Sequence, residues 1–84
     1  MALLLKTDNT REEVEPRHGR EFTLRELQNY VGGYVDVVPL SDNRILIING
    51  QGHMLDLTAN FSATLAAERS IVGDALLCRM TEVQ

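Results

Sequence analysis

Positive charge is scarce in this sequence. Eight Lys and Arg stand against twelve Asp and Glu, leaving a net charge of −4. That disfavours nucleic-acid binding, whose non-specific affinity comes from cations that neutralise phosphates. It equally disfavours docking on an anionic membrane. Cysteine is nearly absent: Cys78 stands alone, so no intramolecular disulfide forms and a reducing compartment fits best. There is no tryptophan, and two Tyr and two Phe are the only aromatics. The core must therefore be built from Leu, Val, Ile and Ala. No run approaches the roughly 18 apolar residues of a membrane span. The opening MALLL lacks the length of a secretory apolar region and the basic residues that precede one. The expectation is a soluble, cytoplasmic protein.

What is present reads as one globular domain over residues 1–84, with 44% hydrophobic and 24% charged residues. A chain this short has a small core, and self-association is a common remedy. A homo-oligomer is therefore expected. No repeat, linker or low-complexity segment interrupts the chain. Residues 8–21 are polar and mixed in charge, and read as the mobile part of the domain, a loop or an edge hairpin.

Local signals outline an α+β fold with a small, mainly antiparallel sheet. Residues 2–6 read as a strand buried on both faces or clipped to a sheet edge. TDNT at 7–10 is turn chemistry. REEVEPR can return at best as an edge strand, because Pro16 lacks a ladder donor. The strongest local signal is FTLREL. Thr23 and Glu26 have capping-box spacing, and Phe22 and Leu27 sit at the positions of a hydrophobic staple. Leu24, Leu27 and Val31 recur at helical spacing, so a helix is predicted over about 24–31. Residues 34–38 and RILIIN at 44–49 read as a hairpin about the turn SDN. Asn49-Gly50 suggests a second tight turn, followed by a short strand in HMLDL. A second short helix is predicted over about 60–68 with Asn60 as its cap. SIVGDALLCRM is expected to close the chain as a strand with a bulge or bend at Gly73-Asp74. One or two helices would then cover a face of the sheet.

Gly32-Gly33 has the look of a phosphate loop, but its order is wrong. A phosphate cradle runs strand, glycines, helix, so that helix N-terminal N–H groups meet the anion. Here the glycines follow the helix, where carbonyls repel anions. Gly32-Gly33 reads as a helix stop. The second glycine exceeds what a stop requires, so Gly33 allows close backbone packing or the approach of a ligand, with Tyr34 beside it.

Two constellations are candidates for binding. Arg17, His18 and Arg20 form a basic loop able to grip a phosphate or carboxylate; Glu13, Glu15 and Glu21 offset it, and the plain alternative is a solvated loop. Tyr30, Tyr34, Arg44 and Asn49, with Gly33, form a looser set that suits a ligand pocket or a protein interface; its plain alternative is core-edge aromatics among ordinary surface polars.

Signs of catalysis are missing. His53, Asp56 and Cys78 are too few and too scattered for zinc, so no metal site is expected. Cys78 sits in an apolar strand with no activating base, and Arg79 should point to the opposite face. Serines 41, 62 and 70 lack a nucleophile elbow, and Asp36 alternates with valines toward solvent. The chain reads as a non-enzyme that needs no cofactor.

The blocks LQNYVGGYVDVVPL, ILIINGQG and IVGDALL resemble a family of small bacteriophage and bacterial proteins catalogued as a domain of unknown function. Leu27, Gln28, Val31, Gly32, Gly33, Tyr34, Val35, Asp36 and Val37 carry the first block. Asn49, Gly52 and Asn60 match its turn and second-helix positions, and Ile71, Val72 and Gly73 its last. The resemblance spans about residues 22–78. It departs at Ala59, where a proline is usual, and residues 8–21 carry no hallmark of it. It implies a small phage-type accessory protein in the cytoplasm of a bacterial host. By analogy of lifestyle, that implies a binding protein with an anti-defence role that sequesters a nucleotide-like host signal. The competing expectation is a protein-interaction module that docks on a host or phage protein.

Overall fold

The computed structural model describes residues 2–84. The five strands are β1 (Ala2–Leu5), β2 (Arg11–Val14), β3 (Val35–Pro39), β4 (Arg44–Asn49) and β5 (Ala75–Arg79). The helices are α1 (Leu24–Val31) and α2 (Phe61–Ala67), and a 3-10 turn covers Met80–Glu82. The strands form one antiparallel sheet in the order β2-β1-β5-β4-β3. This is the small α+β fold expected from the sequence.

The α1 signals act as their spacing predicts. Thr23 Oγ1 accepts from the Glu26 N–H at 3.1 Å, and Glu26 Oε1 accepts from the Thr23 N–H at 3.0 Å. Two otherwise unpaired donors of the first turn are thus satisfied together. Gly32 ends the helix at φ +79°, its N–H donating to the Gln28 carbonyl. The second helix begins and ends close to its predicted bounds, capped by Asn60 and closed by Glu68 in a left-handed conformation.

The two helices lie on opposite faces, where the sequence reading had placed them on one. Leu27 and Val31 of α1 pack with Ala2, Leu4, Ile45, Ile47, Leu76 and Cys78. Ala63 of α2 packs with Leu5, Val38, Leu46, Ile48, Ile71 and Ala75. Alternating residues of the inner strands therefore serve two different cores, which is why Ile45–Ile48 is apolar without interruption. β1 is an inner strand, paired on both sides, and not an edge. The polar segment supplies the edge strand β2.

Two further expectations are corrected. HMLDL is not a strand: residues 50–56 form a run of turns in which Gly52 donates to the Asn49 carbonyl and Leu57 to that of Gly52. These local bonds use up the backbone groups that a ladder would need. The last strand also starts later than expected. Gly73 takes a left-handed φ of +79° and donates to Thr58, so residues 70–74 lead into β5 and do not belong to it. Val72 keeps only an isolated bridge to Ala59.

Candidate functional site

The fold separates the predicted site residues to two ends of the sheet. Val31, Gly32, Gly33, Tyr34 and Asn49 lie at the end where α1 finishes. Arg44 begins the strand that Asn49 finishes, about 17 Å away at the usual rise per strand residue. One chain cannot bring Arg44 and Tyr34 onto the same small ligand.

At the α1 end, most of the polar groups are already engaged. Asn49 is buried; its Nδ2 donates to the Val31 carbonyl at 3.1 Å and its Oδ1 accepts from the Gln51 N–H at 2.8 Å. This explains the second glycine, because a Cβ on Gly33 would stand 3.2 Å from Asn49 Nδ2. Close packing, one of the two roles foreseen for Gly33, is thus occupied by a side chain of the same protein. Tyr30 is half-buried with its ring edge-on to Phe22, centroids 6.0 Å apart, and burial raises its phenol pKa. Tyr34 is 67% exposed. It rims a neutral cleft of about 640 Å³ with Gln28, Asn29, Gly33, Gln51 and Leu55. No cation lines it, and the α1 carbonyls face this end, so it is unsuited to an anion.

The basic loop is tied down and offset. The Arg17 N–H donates to Glu26 Oε2 at 2.8 Å, joining the loop to the first turn of α1. Backbone N–H groups of Thr23 and then Arg17 hold the Glu26 carboxyl below its ordinary range. His18 is exposed, as are its neighbours Arg17 and Gly19. Arg20 and Arg79 border a hollow of about 680 Å³ whose rim also holds Glu15, Glu21 and Glu82. Carboxylates match or outnumber the cations there, so this large hollow has no net attraction for an anion.

The other end of β4 carries a different arrangement. Arg44 stands directly opposite Arg79 of β5. The Met80 N–H bonds the Asn43 carbonyl in the adjacent pair, so Arg44 and Arg79 form a non-hydrogen-bonded pair, the type with the closest side chains, Cα atoms about 4.5 Å apart. Alternation puts both on the α2 side of the sheet, in line with Leu46 and Leu77. They wall a cavity of about 360 Å³ with Leu3, Leu77 and Cys78. Among the described residues the salt bridge is Lys6–Glu12, at 3.8 Å and away from this end, while Glu82 lies beside Arg79, its Oε1 accepting from the Arg79 N–H at 2.8 Å. Like charges directly opposite in a sheet are destabilising.

Sequence reading singled out Arg44 but missed Arg79, Leu3 and Leu77. A signal did exist. One apolar strand begins with Arg and another ends with Arg, so antiparallel pairing in that register must align them.

Cys78 faces the α1 core and is buried. Burial, and after it the Glu82 charge, pushes its thiol up to about 11. At pH 8 the native thiol is expected to alkylate ~100-fold more slowly than in the urea-unfolded chain, because the thiolate is the nucleophile. Iodoacetamide labelling followed by mass spectrometry checks this; equal rates would mean the thiol is not enclosed. Among the described residues no three His, Cys, Asp or Glu are placed to hold a metal ion. No helix among them is long and apolar enough to cross a membrane.

The geometry therefore defines a small α+β domain with a sheet covered on both faces and an arginine-walled hollow at one end. Over residues 1–83 the chain matches the family model DUF3846, a domain of unknown function, and it belongs to that family. This agrees with the uncharacterised family that its V-G-G-Y block resembles. No curated protein and no solved structure matches it.

Proposed function

We propose that this protein is a non-enzymatic binding protein that holds a small anionic, nucleotide-like ligand between Arg44 and Arg79. One observation supports the reading: two exposed arginines stand directly opposite each other on adjacent strands, beside an apolar floor of Leu3 and Leu77. The repulsion costs stability in the empty protein, and a phosphate placed between the two forks relieves it. Leu3 and Leu77 offer a flat body such as a base an apolar surface. The volume of about 360 Å³ falls within the range of small-molecule sites. To this we add the accessory role that the resemblance implies, sequestration of a nucleotide-like host signal.

Titration calorimetry with adenosine diphosphate and with pyrophosphate tests the site. Arg44→Ala and Arg79→Ala are each expected to weaken binding roughly 10- to 100-fold, the worth of a charge-assisted hydrogen bond. Both variants should melt at or above the wild-type temperature, since each removes the repulsion. Wild-type protein that binds neither probe, and that emerges bare in native mass spectra when purified from cells, would sink the reading. So would unchanged binding in both variants.

A second reading, docking on a host or phage protein, is favoured by the exposed Tyr34 and Leu55 at the neutral cleft. It requires Tyr34→Ala to abolish capture of a specific partner while leaving nucleotide binding intact.

A further inference from the structure

The two edges of the sheet are not equivalent. On β3, the odd-numbered residues turn their backbone groups outward, because Gly50 bonds Tyr34 and Leu40 bonds Arg44 across the inner side. Of these, Pro39 has no N–H, and the Val37 N–H is taken by Asp36 Oδ1 at 2.9 Å. Both devices discourage another strand from adding there. On β2, the bond from Lys6 N–H to the Thr10 carbonyl makes the even-numbered residues face β1. Arg11 and Glu13 therefore point their N–H and C=O groups outward, and among the described residues nothing caps them.

We propose that β2 pairs antiparallel with β2 of a second copy of this chain, the two strands crossing a two-fold axis at Glu12. The charge pattern selects this occupant and this register. Arg11 then lies opposite Glu13 of the partner, and Glu13 opposite the partner's Arg11, giving two complementary pairs on the α2 side and four backbone hydrogen bonds. The two Glu12 side chains meet on the other side, where each already carries Lys6 at 3.8 Å. The result is a ten-stranded sheet in which the blocked β3 edges are outermost. The interface is isologous and closed, so it stops at a dimer. It lies at the β2 edge, whereas Arg44 and Arg79 are on the inner strands β4 and β5, and it does not depend on the Arg44–Arg79 reading.

Sedimentation velocity of the full chain, at low and high salt, tests the pairing. Wild-type protein should dimerise in the micromolar to millimolar range, and less at high salt. R11E places Glu opposite Glu and E13R places Arg opposite Arg, so each should raise the dimer dissociation constant about tenfold or more. The R11E/E13R double variant restores complementarity and should recover the dimer, as should an equal mixture of the two single variants. Glu13→Pro should also abolish the dimer, because it deletes an outward N–H; circular dichroism confirms that this variant is folded. A wild-type monomer at millimolar concentration overturns the proposal, as does a dimer indifferent to both single variants. A double variant that stays monomeric overturns this register, since pairing centred on Glu13 would set Arg opposite Arg.

Discussion

Replacing Asn60 with alanine is expected to remove about 3–5 kcal/mol of stability, a large share of the roughly 4–12 kcal/mol typical of a chain this long. Asn60 is polar, yet its exposure is 0%. Its Nδ2 donates to the carbonyls of Leu5 and Gly73, both at 2.8 Å, and its Oδ1 accepts from the Ala63 N–H at 3.0 Å. One amide thus holds the end of β1, the bend before β5 and the first turn of α2. Alanine leaves one helix N–H without its cap and removes the amide donor from two buried carbonyls, of which that of Leu5 keeps its ladder partner Ala75. The lost cap contributes about 1 kcal/mol and each lost hydrogen bond to a buried carbonyl about 1–2 kcal/mol. Asn60→Asp keeps the capping oxygen but turns a carboxylate toward two carbonyls, so it should be at least as damaging. Urea unfolding measures both. A loss below about 1 kcal/mol for Asn60→Ala would show that water replaces the amide and that this junction is not closed.

The same residue shows where sequence reading stops. Asn60 is legible as a helix cap, because a cap is a local matter of one side chain and the third N–H ahead. Its grip on Leu5, 55 residues away, is not local and leaves no pattern. Gly73 follows the same logic. Its sequence suggests a bend, but its length and place depend on Asn60 holding its carbonyl and on Leu57, whose Cδ1 would lie 2.8 Å from any added Cβ. The capping box of α1, the hairpin at 34–49 and the helix stop at Gly32 all rest on neighbours within a few positions, and all three stand. The two-sided sheet was in principle legible: four successive buried apolar residues, Ile45–Ile48, require cover on both faces. Of the candidate site, Arg44 was legible as a spare cation. Its partner Arg79 emerges only from the strand register, while the tyrosines and Asn49 were drawn toward Arg44 by sequence proximity that an extended strand undoes.

Replacing Phe22 with alanine is expected to cost about 3–5 kcal/mol, the usual range for a buried aromatic. Its neighbour two positions on, Leu24, should tolerate the same change within about 0.5 kcal/mol. Both are large apolar residues at the start of α1, and in the sequence both belong to its apolar pattern. The difference is geometric. Phe22 precedes the Thr23 cap, and its ring enters the core with Leu27 and Val31 at 0% exposure, edge-on to Tyr30 at 80°. Leu24 begins the helix proper and is 58% exposed. Phe22 also joins distant parts of the chain: its N–H donates to the Glu82 carbonyl at 2.6 Å and its own carbonyl accepts from Gln84 at 3.2 Å. Those backbone bonds survive truncation of the ring, but the surface that holds the two segments together does not. Phe22→Ala should therefore lower the unfolding midpoint and also hasten amide exchange at Gln84, whereas Leu24→Ala should do neither. Comparable losses from the two variants would mean that α1 is held by its overall apolar content and not by the staple at its entrance. In that case the helix would be free to shift along the sheet, and the hydrogen bond from Asn49 to Val31, which fixes its far end, would become the contact that sets its position.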